Sequence, residues 1–317
     1  MKNAERMLID CLKRYGDRRG IGVALLAHDW IAVMTRGAQR HLVIGYDLGL
    51  NGAAAAKIAN DKGATFDVLR AAGVAAVEHR VFLHPRFLDF VPVDGNWADL
   101  LAAFDDFGRD AVVKDNEGTG GIEVFRVRSR SELEQRALAL NQIARSLAIA
   151  PFLAITDETR FVMIEETCVL AYAKARAEVT GDGQHTVAEL IAAARLNGRL
   201  RAGLAVYDNP LMPLGATPAA GTRVPLQWRH NLGLGAEARM LDAGAPELSM
   251  ALALARQAMA ALTLRFASID VVTVNGAPMV LEANAGVMLE VASRPEFGGV
   301  ALADRIYGQA LDLVFTD

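Results

Sequence analysis

Three oxygen-bearing side chains stand where two apolar segments meet near the C-terminus. Asp270 lies in Ser268-Ile269-Asp270-Val271-Val272, and Glu282 and Asn284 lie in Pro278-Met279-Val280-Leu281-Glu282-Ala283-Asn284. Between the segments, Asn275-Gly276 predicts a two-residue hairpin turn, because Asn and Gly tolerate the positive φ that such a turn demands. Glu282 and Asn284 are two apart, so on a strand both leave the same face, and Asp270 on the neighbouring strand can face them. Two carboxylates brought together in apolar surroundings repel strongly unless a cation lies between them. Carboxylate and amide oxygens without His or Cys favour a hard ion such as Mg²⁺, with Mn²⁺ as an alternative. Ordinary strand-end polarity competes with the metal reading at this point.

A second candidate site is the run Ala111-Val112-Val113-Lys114-Asp115-Asn116-Glu117-Gly118-Thr119-Gly120-Gly121-Ile122, a strand and a glycine-rich turn leading to another strand. Glycines let backbone N–H groups approach a phosphate closely, and a lysine ending the strand adds a point charge toward the same anion. A plain hairpin with a solvated lysine is the alternative. The GxxxxGK[ST] loop is absent and this cluster leads into a strand, so as a phosphate site it acts as a flap. Arg160 to Glu166 reads as a buried strand ending in two acids. Only one of Glu165 and Glu166 can face a ligand side-on, while their backbone can bond an adenine edge; a strand end at the surface is the alternative. Gly233-x-Gly235-x-x-Ala238 imitates a dinucleotide fingerprint, but Asp242-Ala243-Gly244-Ala245-Pro246 breaks the helix it needs, and it is rejected. Without a GxSxG elbow or metal-spaced histidines, hydrolase and zinc chemistry drop out; His79 and His84 read as structural or surface residues.

The elements that position these residues follow from periodicity. Residues 2–15 predict a helix, and Ile21 to Leu26, Trp30 to Met34 and His41 to Ile44 predict three short strands. An Ala-rich helix covers Ala53 to Ala59, and another is capped at Asn60-Asp61 and closed by Gly73. Val74 to Val77 and Arg80 to Leu83 read as strand, and Leu100 to Phe107 as helix. Capping boxes at Ser131-Glu132-Leu133-Glu134 and Thr186-Val187-Ala188-Glu189 open helices to about Ser146 and to Leu196. Val169 to Glu178 reads as a strand with Lys174 and Arg176 on one face, and residues 199–221, with three prolines, as a long exposed connection. Leu248, Leu252, Ala255, Met259 and Leu262 form one apolar helical stripe leading into the Asp270 strand.

Composition narrows the classes. The chain has 317 residues, 52% hydrophobic and 22% charged, which suits one large or two to three smaller subdomains. A net charge of −4 with scattered Lys and Arg argues against nucleic-acid and membrane partners. Cys11 and Cys168 lack metal or redox spacing, which points to packed thiols in a reducing, cytoplasmic setting. The N-terminus lacks the apolar core of a signal peptide, and Arg256 and Gln257 interrupt the most apolar later stretch, so it predicts a buried helix.

Asn60-Asp61-Lys62 before a helix ending Ala71-Ala72-Gly73-Val74, Val112-Val113-Lys114 with its glycine loop, Ile164-Glu165-Glu166, and Leu281-Glu282-Ala283-Asn284 occur in this order. They resemble the motifs of the ATP-grasp superfamily of ADP-forming carboxylate–amine ligases. Val179-Thr180-Gly181-Asp182-Gly183-x-His185-Thr186-Val187-x-Glu189-Leu190-Ile191 and Arg229-x-Asn231-Leu232 are similar to the ATP-grasp portion of cyanophycin synthetase and bifunctional glutathione synthetase, with further similarity to ribosomal-protein glutamate ligases. The resemblance runs from roughly Gly45 to the end. It implies an α/β ATP-grasp fold, two α+β subdomains gripping ATP and preceded by a small α/β N-terminal domain. The expected boundaries are 1–59 for that domain, 60–107 for a linking helix and strand, 108–168 for the lid subdomain and 169–317 for the large subdomain.

The resemblance also implies roles. Lys62 and Lys114 would reach the ATP phosphates under a lid of Gly118, Thr119, Gly120 and Gly121, with Arg176 on the same cofactor. Glu165 and Glu166 would line the adenosine pocket. Asp270, Glu282 and Asn284 would hold Mg²⁺, and Arg229 and Asn231 would stabilise the transferring phosphoryl group. Small-molecule carboxylate and amine substrates, an amino acid or peptide among them, and a homodimer belong to the same expectation. The rivals are an ATP-dependent phosphotransferase on this fold and a non-catalytic nucleotide-binding module. Relatives carry an Asp-x-Arg hairpin after the Glu-Glu pair, whereas here Thr167-Cys168 joins the strands directly, about ten residues shorter in a connection that is usually brief. A remodelled substrate side is the consequence.

Overall fold

The computed structural model describes residues 6–87, 96–197, 200, 207–209, 211–232, 236–290 and 293–316. They fall into two compact units, one of Met1–Gly118, Ile122–Tyr172 and Met240–Asp317, the other of Thr119–Gly121 and Ala173–Arg239.

The first unit begins with α1 (Met7–Arg19), which buries Leu8, Cys11, Leu12 and Tyr15 and stops at Gly20, whose φ of 63° supplies the left-handed cap. Strands β1 (Gly22–Leu26), β2 (Ile31–Arg36) and β3 (Gln39–Ile44) form an antiparallel three-stranded sheet. Its inner residues and α1 share one core with Ile306, Tyr307 and Phe315 from the C-terminal region. The expected N-terminal domain of 1–59 is therefore not a separate layer: its apolar face is covered by residues from the far end of the chain.

Helices α2 (Ala53–Ala59) and α3 (Lys62–Ala71) lead to a four-stranded antiparallel sheet of β4 (Arg80–Leu83), β5 (Ala111–Asp115), β6 (Val124–Val127) and β7 (Ser146–Pro151), in the order β4-β7-β5-β6. Residues 74–77 form only a bridge to Val280, at Ala76, rather than a strand. Helices α4 (Asn96–Asp106) and α5 (Arg130–Leu140) cover one face of this sheet through Leu100, Phe104, Leu133 and Leu140. The cap of α5 is Ser129 rather than Ser131. Its side chain accepts from the Glu132 N–H at 3.2 Å and the Glu132 carboxylate accepts from the Arg128 N–H at 2.7 Å, a side-chain cap two residues earlier than the box read from sequence. The helix also ends at Leu140, short of Ser146, which opens β7.

Strands β8 (Ile155–Ile164) and β9 (Thr167–Ala175) join β12 (Glu237–Leu241), β13 (Phe266–Val274) and β14 (Ala277–Asn284) in a five-stranded sheet of order β12-β9-β8-β13-β14. One face packs on α2, α3 and α7 (Ser249–Ala261) through Phe161, Met163 and Ile269, and the other enters the core around Val162 and Phe266. A strand buried on both faces must sit inside a covered sheet. The expected lid boundary at 168 is corrected accordingly, because β8 belongs to the larger sheet and the chain changes sheets at residues 152–154. Helix α8 (Gly299–Asp312) closes the unit against α1.

In the second unit β10 (Glu178–Thr180) pairs with β11 (Arg223–Pro225), and α6 (Val187–Leu196) starts at the Thr186 and Glu189 box, both halves of which are formed. Val179, Val187, Val224 and Leu226 make its small core. Residues 199, 201–206 and 210 of the 199–221 connection, and Gly233 to Gly235 of the rejected fingerprint, lie outside the described residues; Ala238 falls on β12 rather than on a helix. No helix among the described residues is long and apolar enough to cross a membrane.

Candidate active site

The Asn275-Gly276 turn forms as the sequence requires, with φ of 50° and 80°, and it joins β13 to β14. Asp270 stands directly opposite Glu282, with an irregularity in the pairing immediately after Asp270. Asn284 donates to Glu282 Oε1 at 3.3 Å, so the three predicted metal ligands meet on one face of one hairpin. A cation already lies among them. Arg160, opposite Asp270 on β8, donates from Nε and from one terminal nitrogen to the two carboxylate oxygens at 2.7 and 2.6 Å, and that terminal nitrogen is 3.6 Å from Glu282. Asp270 is fully buried. Burial works against the Arg160 charge, but the charge and hydrogen bonds of Asp270, helped by Tyr172 and Glu282, raise its pKa well above the ordinary value.

The carboxylate repulsion noted in the sequence is thus relieved at least in part by a guanidinium. A metal remains compatible with this donor set, because the ligands are all hard oxygens. Among the described residues no group of three or more His, Cys, Asp or Glu is arranged to hold a metal, so the set is two carboxylates and an amide.

Both lysines converge on the same region. Lys62 is the first residue of α3, fixed by the Asp61 cap on the Ala64 N–H at 2.8 Å. Its ammonium donates to the Asn116 and Gly118 carbonyls at 3.0 and 2.7 Å, which ties it to the start of the glycine loop. A Cβ on Gly63 would come within 2.1 Å of the Val81 side chain, so this helix start can approach the sheet only as glycine. Lys114, next to the end of β5, is buried; burial and the Lys62 charge bring its pKa down to about 8, with Glu282 and Glu158 acting in the opposite direction. Sequence reasoning did not bring Glu158 or Arg160 into this cluster. Glu158 and Arg160 are two apart ahead of an apolar run, a spacing that places both on one strand face, and that was the available signal. His79 is buried, and burial followed by the charges of Lys114 and Lys62 holds its pKa well below 6.5.

The sequence matches no family model, and no curated protein sequence matches it. Solved structures do. The bifunctional glutathione synthetase from Pasteurella multocida superposes with a TM-score of 0.51 at 18% identity, covering 90% of this chain and 40% of that one. D-alanine–D-alanine ligase from Bacillus anthracis gives 0.52 at 12% identity over 83% of this chain and 68% of that one, and its complex with ATP gives 0.50 at 14% identity over 83% and 69%. The chain has the ATP-grasp fold. It spans 40% of the length of the glutathione synthetase it matches.

Within this ATP-grasp fold Glu165 and Glu166 do not join the cluster. They form the exposed turn between β8 and β9, where the Glu165 carboxylate pairs with Arg265 at 2.6 Å and the Glu166 carbonyl accepts from Arg256 at 3.1 Å. Glu165 lies seven positions along the chain from Glu158, roughly 23 Å at the rise of an extended strand. The physical reason is the two-residue hairpin itself, which makes these acids turn residues. Glu158 and Arg160 precede this turn on β8, where Arg160 pairs with Asp270.

In the second unit Gly120 and Gly121 have φ of 70° and 67°. The Asn231 amide donates to the Gly120 carbonyl at 2.8 Å, and a Cβ on Gly121 would fall 1.7 Å from that amide nitrogen. Thr119 is exposed, and Gly118 sits in the first unit beside the Asp115 side chain. Arg229 donates to Asp208 at 3.1 Å and lies over the Trp228 ring. Arg176 follows the end of β9, partly buried.

Proposed function

We propose that this chain is an ATP-dependent, ADP-forming ligase that joins a carboxylate to an amine, with an amino acid or peptide among its substrates, through an acyl phosphate. The observation that carries the reading is the meeting of Lys62 and Lys114 with Asp270, Glu282 and Asn284 inside one unit, cations for phosphates beside oxygen ligands for a cation. Lys62 and Lys114 hold the phosphates of ATP, beside the peptide group of Gly118. Asp270, Glu282 and Asn284 would hold Mg²⁺, which when bound would neutralise charge building on the phosphoryl oxygens. Arg160 fixes Asp270 in its ligating orientation. Arg229 and Asn231 stabilise the transferring phosphoryl group and the acyl phosphate, and Arg176 contacts the nucleotide. Glu165 and Glu166 take no part.

A carboxylate is a poor electrophile, so its phosphorylation before amine attack is the step that makes amide formation feasible at neutral pH. The test is ADP release by purified protein given ATP, Mg²⁺ and a pool of amino acids and short peptides, with mass spectrometry for condensed products. Substrate-dependent ADP with a product lighter by one water than the sum of its parts supports the ligase. ADP with a phosphorylated product and no condensation moves the assignment to a phosphotransferase, and binding without turnover against any pool moves it to a nucleotide-binding module.

A further inference from the structure

In the second unit a short piece of the proline-bearing connection is fastened alongside the segment that follows β11. The Asp208 N–H donates to the Leu226 carbonyl at 2.9 Å, and the Trp228 N–H donates to the Asp208 carbonyl at 3.1 Å. Asp208 and Gln227 form a parallel bridge between these contacts. The Asn209 amide donates to the Pro225 carbonyl at 2.8 Å and accepts from the Leu211 N–H at 3.0 Å, and the Tyr207 hydroxyl donates to the Met212 carbonyl. Backbone groups and the neighbours of Asp208 therefore hold the chain here. The Asp208 carboxylate is left for another task.

Trp228 and Arg229 occupy a bend, so two consecutive side chains that a strand would send to opposite faces converge. One oxygen, Asp208 Oδ2, accepts from Trp228 Nε1 at 2.8 Å and from a terminal nitrogen of Arg229 at 3.1 Å. The guanidinium carbon lies 5.3 Å from the centre of the indole. The hydrogen bond through its nitrogen fixes the rotation of the indole, and the indole in turn bounds the guanidinium on one side. As a source of stability this pair counts for little, because the Asp208 side chain is 43% exposed and that of Arg229 is 21% exposed. As an orienting device it is effective. A guanidinium carries five N–H donors in a rigid plane, so holding one edge and bounding one face sets the direction of the others.

We propose that Asp208 is a positioning residue for phosphoryl transfer: with the Trp228 ring it holds the Arg229 guanidinium in the plane from which its other donors reach the transferring phosphoryl group. The inference rests on the ligase reading, which gives Arg229 that role, and it adds two residues that act through Arg229 without touching substrate. An arginine side chain left to sample its rotamers must be ordered as the reaction proceeds, whereas one held beforehand need not be. The carboxylate also offsets part of the guanidinium charge, so its benefit is geometric. An effect of this kind falls on the transition state, and its loss appears in kcat rather than in KM.

Steady-state ADP release by the full chain, with Mg·ATP and the pool of amino acids and short peptides, tests the assignment. Asp208→Ala should lower kcat about tenfold while the KM for ATP stays within about twofold and the thermal midpoint stays at the parent's value. Asp208→Asn keeps an acceptor oxygen for both donors, and its kcat should lie within about threefold of the parent. In an Arg229→Ala background, Asp208→Ala should change kcat by less than about twofold, since no guanidinium is left to orient. Millimolar guanidinium chloride should restore part of the turnover of Arg229→Ala, and several-fold less of it when Asp208 is also replaced by alanine. An Asp208→Ala protein with the parent's kcat overturns the inference and leaves the ligase reading standing. So does a loss that persists undiminished in the Arg229→Ala background, which would mark Asp208 as a structural staple. A parent that releases no ADP with any pool overturns the ligase reading and this inference with it.

Discussion

Asp270 and Glu282 are neighbours in the hairpin, yet their loss should be felt in opposite places. Asp270 is fully buried and both its oxygens accept from Arg160, whose side chain is 18% exposed. Replacing it with Asn strands a buried guanidinium, and breaking such a pair from one side costs about 3–5 kcal/mol. For a unit of this size that corresponds to a fall in thermal midpoint of roughly 6–20 °C. Glu282 has a side chain 28% exposed and stands 3.6 Å from Arg160, so Glu282→Gln should cost under about 1 kcal/mol. The second variant should nevertheless lose Mg²⁺-dependent turnover, because an amide replaces one of two carboxylate ligands. The assay is thermal or urea unfolding in chelator, run beside ADP release across a Mg²⁺ titration. An Asp270→Asn protein that unfolds at the parent's midpoint refutes the buried-pair account, and a Glu282→Gln protein with the parent's Mg²⁺ dependence refutes the metal assignment. Replacing both members, Arg160→Met with Asp270→Leu, should recover much of the lost stability while activity stays absent.

Lys114, brought to about 8 by burial and the Lys62 charge, loses its proton as the pH rises past that value, so ATP affinity should weaken through this range; calorimetric titrations should show a flatter profile for Lys114→Arg. His79 is held neutral by burial and by Lys114 and Lys62, whereas an unfolded imidazole titrates near 6.5. Its contribution is therefore whole above that pH and is lost as the pH falls below it, because the unfolded chain takes up a proton that the native one does not. Urea midpoints should drop between neutral and acidic pH more for the parent than for His79→Phe. Gly121→Ala puts a methyl group on the Asn231 amide at a left-handed position, and turnover should fall while the unfolding midpoint of the larger unit stays in place.

The parts legible in the sequence were those fixed by local geometry. Asn275-Gly276 could only be a tight turn, and Thr186 with Glu189 could only cap a helix, and both are formed as read. Asp270, Glu282 and Asn284 were placed by the period of a strand and needed no further information. What escaped was non-local. Arg160 meets Asp270 across 110 positions of sequence, and no pattern within β8 announces which strand will pair with it. Glu165 and Glu166 failed for the related reason that a strand end and a hairpin turn look alike until the pairing of β8 with β9 is known. The cap at Ser129 shows the same limit on a small scale, since two serines each have a Glu three residues on and the structure uses the earlier one.

The clasp between the first and last helices constrains how the chain can acquire its structure during synthesis. Arg14 pairs with Asp304 at 2.9 Å and Tyr15 donates to Asp312 at 2.8 Å, contacts that span 290 and 297 positions. Helix α1 and the N-terminal sheet wait for α8 to complete the core they share, about 255 residues further along the chain, which at about 5–20 residues per second takes roughly 13–50 s. For that interval Met34 and Val43 have the cover of α1 but not that of Ile306, Tyr307 and Phe315. This half-covered sheet is the segment on which a chaperone would act.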